Sequence, residues 1–132
     1  MLQRHDRRRR SDVVNDLVSA LNALDYNAVR RLLSPQVEVT DAVGRQISGV
    51  DAFIASDREF RTRAGQPQIE VKAAIENADG ILISGMVHST NRALSGPACW
   101  RLAFDGERVS RIEITRSDQH MTVTKFHALQ NN

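Results

Sequence analysis

Residues 21–53, "LNALDYNAVRRLLSPQVEVTDAVGRQISGVDAF", decide the fold. Asp25 is a favourable N-cap for a short helix, which the following proline stops. The alternation of residues 37–39 then predicts a short strand. Asp41 and Gly44 stand at the first and fourth positions of a type I turn, after which helical periodicity resumes. The stretch predicts helix, strand, turn and helix, and it leaves open whether Asp41 only forms the turn or holds a carboxylate at the rim of a pocket.

The helices around this strand each carry one apolar stripe. Residues 12–24 have apolar side chains at helical spacing behind Ser11, which can act as an N-cap. Residues 50–65 repeat the pattern and end at Gly65. The predicted buried positions are Val14, Leu17, Val18, Leu21 and Leu24 in the first helix, Val29, Leu32 and Leu33 in the second, and Val50, Phe53, Ile54 and Phe60 in the third.

From residue 68 onward the sequence alternates as antiparallel strands do. Turns are predicted at residues 77–80 and at Asp105–Gly106, the second of which is a strong hairpin signal. One face of the first strand is predicted to carry Ile69, Val71, Ala73 and Ile75, and one face of a later strand Trp100, Leu102 and Phe104. The tail from Asp118 onward keeps Met121, Val123, Phe126 and Leu129. We expect this tail to pack on the body or across a subunit boundary.

This order of elements predicts a single α+β domain over residues 11–132, with three N-terminal helices packed on a curved antiparallel sheet that encloses a cavity. Residues 1–10 form a basic arm with five arginines and one acid, whereas the remaining residues carry 13 bases and 15 acids. The arm is interpreted as a disordered tail or as a nucleic-acid contact. One charge run without aromatic residues specifies no such partner.

Composition and motifs exclude several kinds of site. No apolar run approaches the roughly 18 residues of a membrane span, and the N-terminus lacks the apolar core of a signal peptide, so a cytoplasmic location is expected. The single cysteine, Cys99, cannot form an internal disulfide and is expected to be a small buried strand residue. Phosphate-loop, nucleophile-elbow and zinc motifs are absent, so we expect no metal and no cofactor.

The stretch from Leu21 to Phe53 and the meander ending in "FDGERVSRIE" resemble the nuclear transport factor 2-like superfamily. Within it, the chain is similar to the SnoaL-like polyketide cyclases and the ketosteroid isomerase group. The resemblance covers about residues 11–117 and implies a cone-shaped fold, a cavity for a small apolar ligand and a homodimer through the sheet. This scaffold serves isomerases, cyclases, hydrolases and non-catalytic binding modules, so it does not specify the function.

The resemblance implies roles for four residues. Asp41 falls at the general-base position of the isomerases, and Asp57 at a pocket-facing position of the third helix. His88 shares strand parity with Ser84 and Met86, a face that the resemblance turns toward the cavity. Arg116 falls near an aromatic pocket position and could pair with Asp41 or Asp57 or bind an anionic substrate oxygen. Each of the last three residues also has a structural alternative. Asp57 can be solvated beside the apolar stripe, His88 can be a hydrogen-bonded residue of the cavity wall, and Arg116 can lie on the surface at the end of its strand.

The isomerase pattern is incomplete in this chain. Its oxyanion-binding tyrosine position matches Leu17, and its aspartate position falls near Trp100, so two donors worth about 3 kcal/mol each are missing. The residues expected to line the cavity are Leu17, Phe53, Phe60, Met86, Trp100 and Phe104.

The sequence supports two main hypotheses. The first is an isomerase or cyclase that performs acid–base chemistry on a small apolar carbonyl compound, with Asp41 as base. The second is a non-catalytic ligand-binding or dimerisation module. An epoxide-hydrolase-like activation of water by Asp41 and Asp57 ranks below these, because the nearest arginine–aspartate arrangement, Arg101 and Asp105, does not match that group's spacing.

Overall fold

A computed structural model describes residues 9–116 and 120–130 of the chain. Its helices are α1 (Arg10–Asn22), α2 (Tyr26–Leu32), α3 (Val50–Arg63) and α4 (Val123–Gln130). Its strands are β1 (Leu33–Asp41), β2 (Gln46–Ser48), β3 (Gln68–Asn77), β4 (Gly80–His88), β5 (Gly96–Asp105) and β6 (Arg108–Thr115). The predicted α+β class is confirmed, and α4 is a helix that the sequence pattern did not predict.

The six strands form one sheet in the order β2-β1-β6-β5-β4-β3. The neighbouring pairs are antiparallel except β1 and β6, which run parallel. That parallel pair departs from the expected antiparallel meander. It places β1, the strand that ends at Asp41, beside β6. The ends of the two strands therefore lie together, with Asp41 opposite Ile114.

The inward face of the sheet and the apolar stripes of α1, α2 and α3 form one core. Its most buried side chains, all at 0 % exposure, are Val29, Leu33, Val37, Val39 and Val109. The helix stripes were predicted from sequence spacing, and the alternation of Val37 and Val39 on β1 is confirmed. Leu33 is buried as predicted, but it begins β1 and is not part of α2.

The expected parity of β4 is wrong. Ile81, Ile83 and Val87 are buried on the core side, whereas Ser84 and His88 are exposed. Because side chains alternate along a strand, Met86 must share the outer face with them. The β-branched residues at odd positions pack against the helices, and this burial fixes the register of the strand. Cys99, expected to be buried, is exposed for the same reason, since it pairs with Ser84.

An irregularity in β3 corrects a second prediction. The register between β3 and β4 shifts between Val71 and Ala73, so that Lys72 is an extra residue in the strand. Ile69 and Val71 pack against the core, but beyond the bulge the alternation is reversed. Ile75 is consequently 63 % exposed on the outer face. The four residues predicted to share one face are therefore divided between two.

The predicted helix ends and turns are mostly confirmed. The side chain of Asp25 accepts a hydrogen bond from Ala28 N and caps α2. Asp105 and Arg108 close a two-residue hairpin turn. Gly65, with φ +76°, follows the end of α3. The predicted cap Ser11 is wrong, because α1 begins one residue earlier at Arg10.

Of the predicted arm, residues 1–8 lie outside the described residues. Arg10 opens α1, and its guanidinium donates to the Asn77 carbonyl at 3.3 Å and lies 5.1 Å from the ring centre of Phe104. In the tail, Asp118 lies outside the described residues. The packing predicted for the rest is found within the same chain, where α4 lies on α3.

Candidate functional site

A small cavity lies between α3, the inner face of the sheet and the segment that leads into α4. Its volume is about 60 Å³. Its wall is mainly apolar, formed by Phe60, Pro67, Ile69, Val87, Leu94, Trp100, Ile114, Met121 and Val123. Asp57, Arg61, Arg116 and Thr122 add a few polar groups. An apolar pocket with few convergent polar groups is typical of a small-molecule site.

Asp57 lies on this wall in a buried network. The Tyr26 hydroxyl donates to Asp57 Oδ2 at 2.6 Å, and Arg61 Nε donates to the same oxygen at 2.8 Å. Arg61 Nη1 also donates to the Pro67 carbonyl at 3.1 Å. Burial raises the pKa of the Tyr26 hydroxyl, and the charge and hydrogen bond of Asp57 raise it further, so this group stays a donor. Asp57 is thus an ion-paired carboxylate at the edge of an apolar space.

Both bonds to Asp57 go to one oxygen. Between the described residues, no hydrogen bond reaches Asp57 Oδ1, and this atom is not among the fully enclosed atoms that lack a partner. Oδ1 is therefore the Asp57 oxygen without a hydrogen bond among these residues, and Asp57 lines the cavity. The resemblance led to Asp57, whereas Tyr26 and Arg61 were missed. Arg61 lies one helical turn after Asp57, a spacing that could have indicated the pair.

Asp41 is placed differently. Its Oδ1 accepts from the backbone N–H groups of Val43 and Arg45, and its Oδ2 accepts from Arg45 Nε at 2.7 Å and Thr124 Oγ1 at 2.9 Å. Burial raises the pKa of Asp41, but these hydrogen bonds outweigh it and leave the pKa below its usual value. The predicted turn is present, with Gly44 N donating to the Asp41 carbonyl. A carboxylate with four donors is a weak base.

A depression of about 20 Å³ adjoins the cavity and shares Ile114, Arg116 and Thr122 with it. Asp41, Ala42, Val43, Arg45, His120 and Lys125 complete its lining. Arg116 is half-buried, and Nε and Nη2 donate to the Pro97 and Gly96 carbonyls at 3.3 and 3.1 Å. Burial lowers the pKa of Arg116, and none of its hydrogen bonds or ion pairs among the described residues goes to a carboxylate. The expected pairing with Asp41 or Asp57 is therefore not formed.

His120 sits beside Arg116 at this depression. A Cβ at Gly96 would lie 2.8 Å from the His120 ring, and the φ of +141° at this position also favours glycine. Burial lowers the pKa of His120 and the charges of Arg116 and Lys125 lower it further, whereas a hydrogen bond with the Ser95 backbone raises it. Nδ1 of His120 is enclosed and has no hydrogen-bond partner among the described residues. Sequence reasoning missed His120, which carries no spacing signal.

The remaining predicted site residues lie elsewhere. His88 is on the outer face, where Nε2 lies 2.7 Å from Glu70 Oε1. Met86 shares that face, so the expectation that both border the cavity is wrong. Leu17 and Phe53 belong to the core, and Phe104 lies beneath Arg10. Phe60 and Trp100 line the cavity.

The larger open groove, about 770 Å³, lies away from these residues. It runs between α1, α2 and the turn joining β5 to β6, and its lining mixes Asp16, Asp25 and Glu107 with Arg31 and Arg108. Within residues 9–116 and 120–130 no group of three or more His, Cys, Asp or Glu could hold a metal ion. No helix in the same part of the chain is long and apolar enough to cross a bilayer.

The family model described as the SnoaL-like domain matches residues 14–112. The chain belongs to this family. No curated protein sequence matches it. Among solved structures, it is similar to a candidate polyketide cyclase from Sinorhizobium meliloti, with 21% identity, coverage of 86% of this chain and 99% of that one, and a TM-score of 0.71.

Two further structures share the fold of this SnoaL-like chain. One is an uncharacterised cystatin-fold protein from Novosphingobium aromaticivorans, with 17% identity, 83% and 99% coverage and a TM-score of 0.73. The other, from Catenulispora acidiphila, has a ketosteroid isomerase-like fold and was solved with trimethylamine, at 16% identity, 80% and 85% coverage and a TM-score of 0.68. These identities support a nuclear transport factor 2-like fold and leave the chemistry to the residues of the site.

Proposed function

We propose that this SnoaL-like protein binds a small carbonyl compound in the cavity beside Asp57 and performs acid–base chemistry on it. The observation that carries the proposal is the Tyr26–Asp57–Arg61 network on the wall of an apolar cavity, with Asp57 Oδ1 unused. A carboxylate within hydrogen-bond reach of a bound ligand can act as its general base. Because only about 60 Å³ is open, the part of the ligand that enters contains few carbon atoms.

In this proposal Asp57, and not Asp41, is the base. Both oxygens of Asp41 are occupied by donors, whereas Asp57 has one oxygen free of them. Arg61 forms an ion pair with Asp57, and Tyr26 fixes the orientation of the carboxylate. Arg116, which also lines the cavity, supplies the positive charge that a polarised carbonyl oxygen requires.

The experiment uses 3-methylbutan-2-one, whose α-protons exchange with D2O only when a base removes them. Protein-dependent loss of the methyl-ketone proton signal is followed by NMR for the wild type and for Asp57→Asn. We expect the exchange rate to fall at least about tenfold in Asp57→Asn. Asp51→Asn, an exposed aspartate on the same helix, is the matched control and should exchange at the wild-type rate.

Other outcomes change the assignment. If Asp41→Asn removes the exchange and Asp57→Asn does not, the base is Asp41. Binding of the ketone without exchange supports a non-catalytic binding module, and absence of binding contradicts the proposed function altogether. Tyr26→Phe, which retains the carboxylate, serves as the second variant if thermal melts show that Asp57→Asn does not fold.

We also propose that the protein forms a homodimer through the outer face of its sheet. The bulge at Lys72 turns Ile75 outward, next to Leu82 of β4, and Cys99 is exposed nearby on β5. Exposed apolar side chains on a sheet face are suited to a self-complementary interface. Light scattering should give a dimer mass for the wild type and a monomer mass for Ile75→Asp, with the exposed turn variant Val43→Asp as control.

A further inference from the structure

We propose that the depression beside the cavity binds the carboxylate of an anionic ligand through Arg116, while the short apolar part of that ligand occupies the cavity. This inference rests on the proposed small-molecule function and specifies the chemical class of the ligand. It differs from that proposal in requiring a negative charge at a defined place, at the boundary that the two spaces share.

The first argument is the charge that remains after pairing. The two carboxylates that line these spaces each have their own arginine, Arg45 for Asp41 and Arg61 for Asp57. Arg116 lines both spaces and has no carboxylate partner among the described residues. Among the described residues that line the two spaces, the arginines therefore outnumber the carboxylates.

The second argument is the set of donors. A guanidinium has five N–H donors, and the contacts of Arg116 with the Gly96 and Pro97 carbonyls use only Nε and one N–H of Nη2. Those contacts also fix the plane of the guanidinium, which prepares it for a two-point contact with a carboxylate. An anion here would offset the desolvation that lowers the pKa of Arg116.

The test compares three probes with the same isopropyl-carbonyl skeleton: isobutyrate, isobutyramide and 3-methylbutan-2-one. Their dissociation constants are measured by NMR titration of the wild type, Arg116→Gln and the control Arg111→Gln, which removes an exposed arginine from β6, the strand that leads to Arg116. We expect isobutyrate to bind the wild type and Arg111→Gln at least about tenfold more tightly than isobutyramide. Arg116→Gln should lose that preference, so that isobutyrate and isobutyramide bind it equally, while its affinity for the ketone should fall by a smaller factor.

Several results would overturn the inference. Equal affinity of the wild type for isobutyrate and isobutyramide rejects an anion site, and ketone binding in the same titration would leave the proposed function standing. If Arg116→Gln and Arg111→Gln lose the preference for isobutyrate to the same extent, Arg116 is not the residue that binds the carboxylate. If none of the three probes binds, the proposed function and this inference fail together. Arg116→Lys keeps the charge and should retain part of the preference, which guards against a variant that merely unfolds.

Discussion

Two aspartate–arginine pairs in this protein share one spacing and nearly one distance, yet they differ in what surrounds them. Asp41–Arg45 joins Oδ2 to Nε at 2.7 Å across a turn, and Asp57–Arg61 does so at 2.8 Å along a helix. The arginine side chain is 36% exposed in the first pair and 7% in the second. The turn pair also has three other donors. Both oxygens of Asp41 therefore accept hydrogen bonds, whereas Asp57 Oδ1 accepts none from the described residues.

The largest effect is expected for the buried pair. Asp57→Ala leaves the Arg61 guanidinium and the Tyr26 hydroxyl enclosed without their acceptor, and it should lower the free energy of unfolding by about 3–5 kcal/mol. Urea denaturation measures this loss. The double variant Asp57→Leu with Arg61→Met removes both charges and should recover most of the stability. If the single and double variants are equally unstable, the pair is not the source of the loss.

The turn pair should have a smaller effect that depends on pH. Asp41→Asn weakens hydrogen bonds to an ionised acceptor and should cost about 1.5–3 kcal/mol at pH 7. Since the pKa of Asp41 is lowered on folding, its contribution is present above the ordinary value of 3.8 and is lost as pH falls through the folded value. Denaturation of both proteins from pH 7 to pH 2.5 should show the difference narrowing below about pH 3.8. A constant difference would contradict this role.

A smaller change should follow from the contact between the turn and α4. Thr124→Val keeps the shape of a side chain that is 1% exposed but removes its hydrogen bond to Asp41. We expect about 1 kcal/mol of destabilisation by thermal unfolding. In the Asp41→Asn background the same substitution should destabilise the protein less than it does in the wild type. Additive losses would show that the two residues act independently.

The smallest effect is expected for a third pair, Arg30–Asp51, whose 2.6 Å contact is the shortest of the three. Its side chains are 52% and 85% exposed, so water competes for both charges. Asp51→Asn should change the free energy of unfolding by less than about 1 kcal/mol. A loss as large as that for Asp41→Asn would mean that distance, and not burial, determines the strength of these pairs.

The sequence predicted the fold well because the fold depends on periodicity. The stripes of α1, α2 and α3, the turn at Asp41 and the hairpin at Asp105–Gly106 are all local patterns, and the structure confirms them. The prediction failed where one residue changes the phase of a strand. The extra residue Lys72 reverses the inward–outward alternation in the second half of β3, and no spacing in the sequence predicts such a bulge.

The site was less predictable because its parts come from distant positions. Tyr26 and Asp57 are 31 residues apart, and Thr124 reaches Asp41 from 83 residues away. In β4, the alternation of Ile81, Ile83 and Val87 indicated the inward face more reliably than the resemblance did. His88 belongs to the opposite, outward face. Asp57 and Arg116, to which the resemblance pointed, line the cavity, but the resemblance could not show which partners each would have.

The position of α4 connects ligand binding to the stability of one short segment. Met121, Thr122 and Val123 form part of the cavity wall, and the segment is held by the Phe60–Phe126 ring contact at 5.6 Å and by Ser56 and His127 at 2.7 Å. If this segment detaches while the sheet stays folded, the cavity loses a wall. A bound ligand must then slow hydrogen exchange in α4 more than in the sheet, and the release of ligand becomes a local unfolding event.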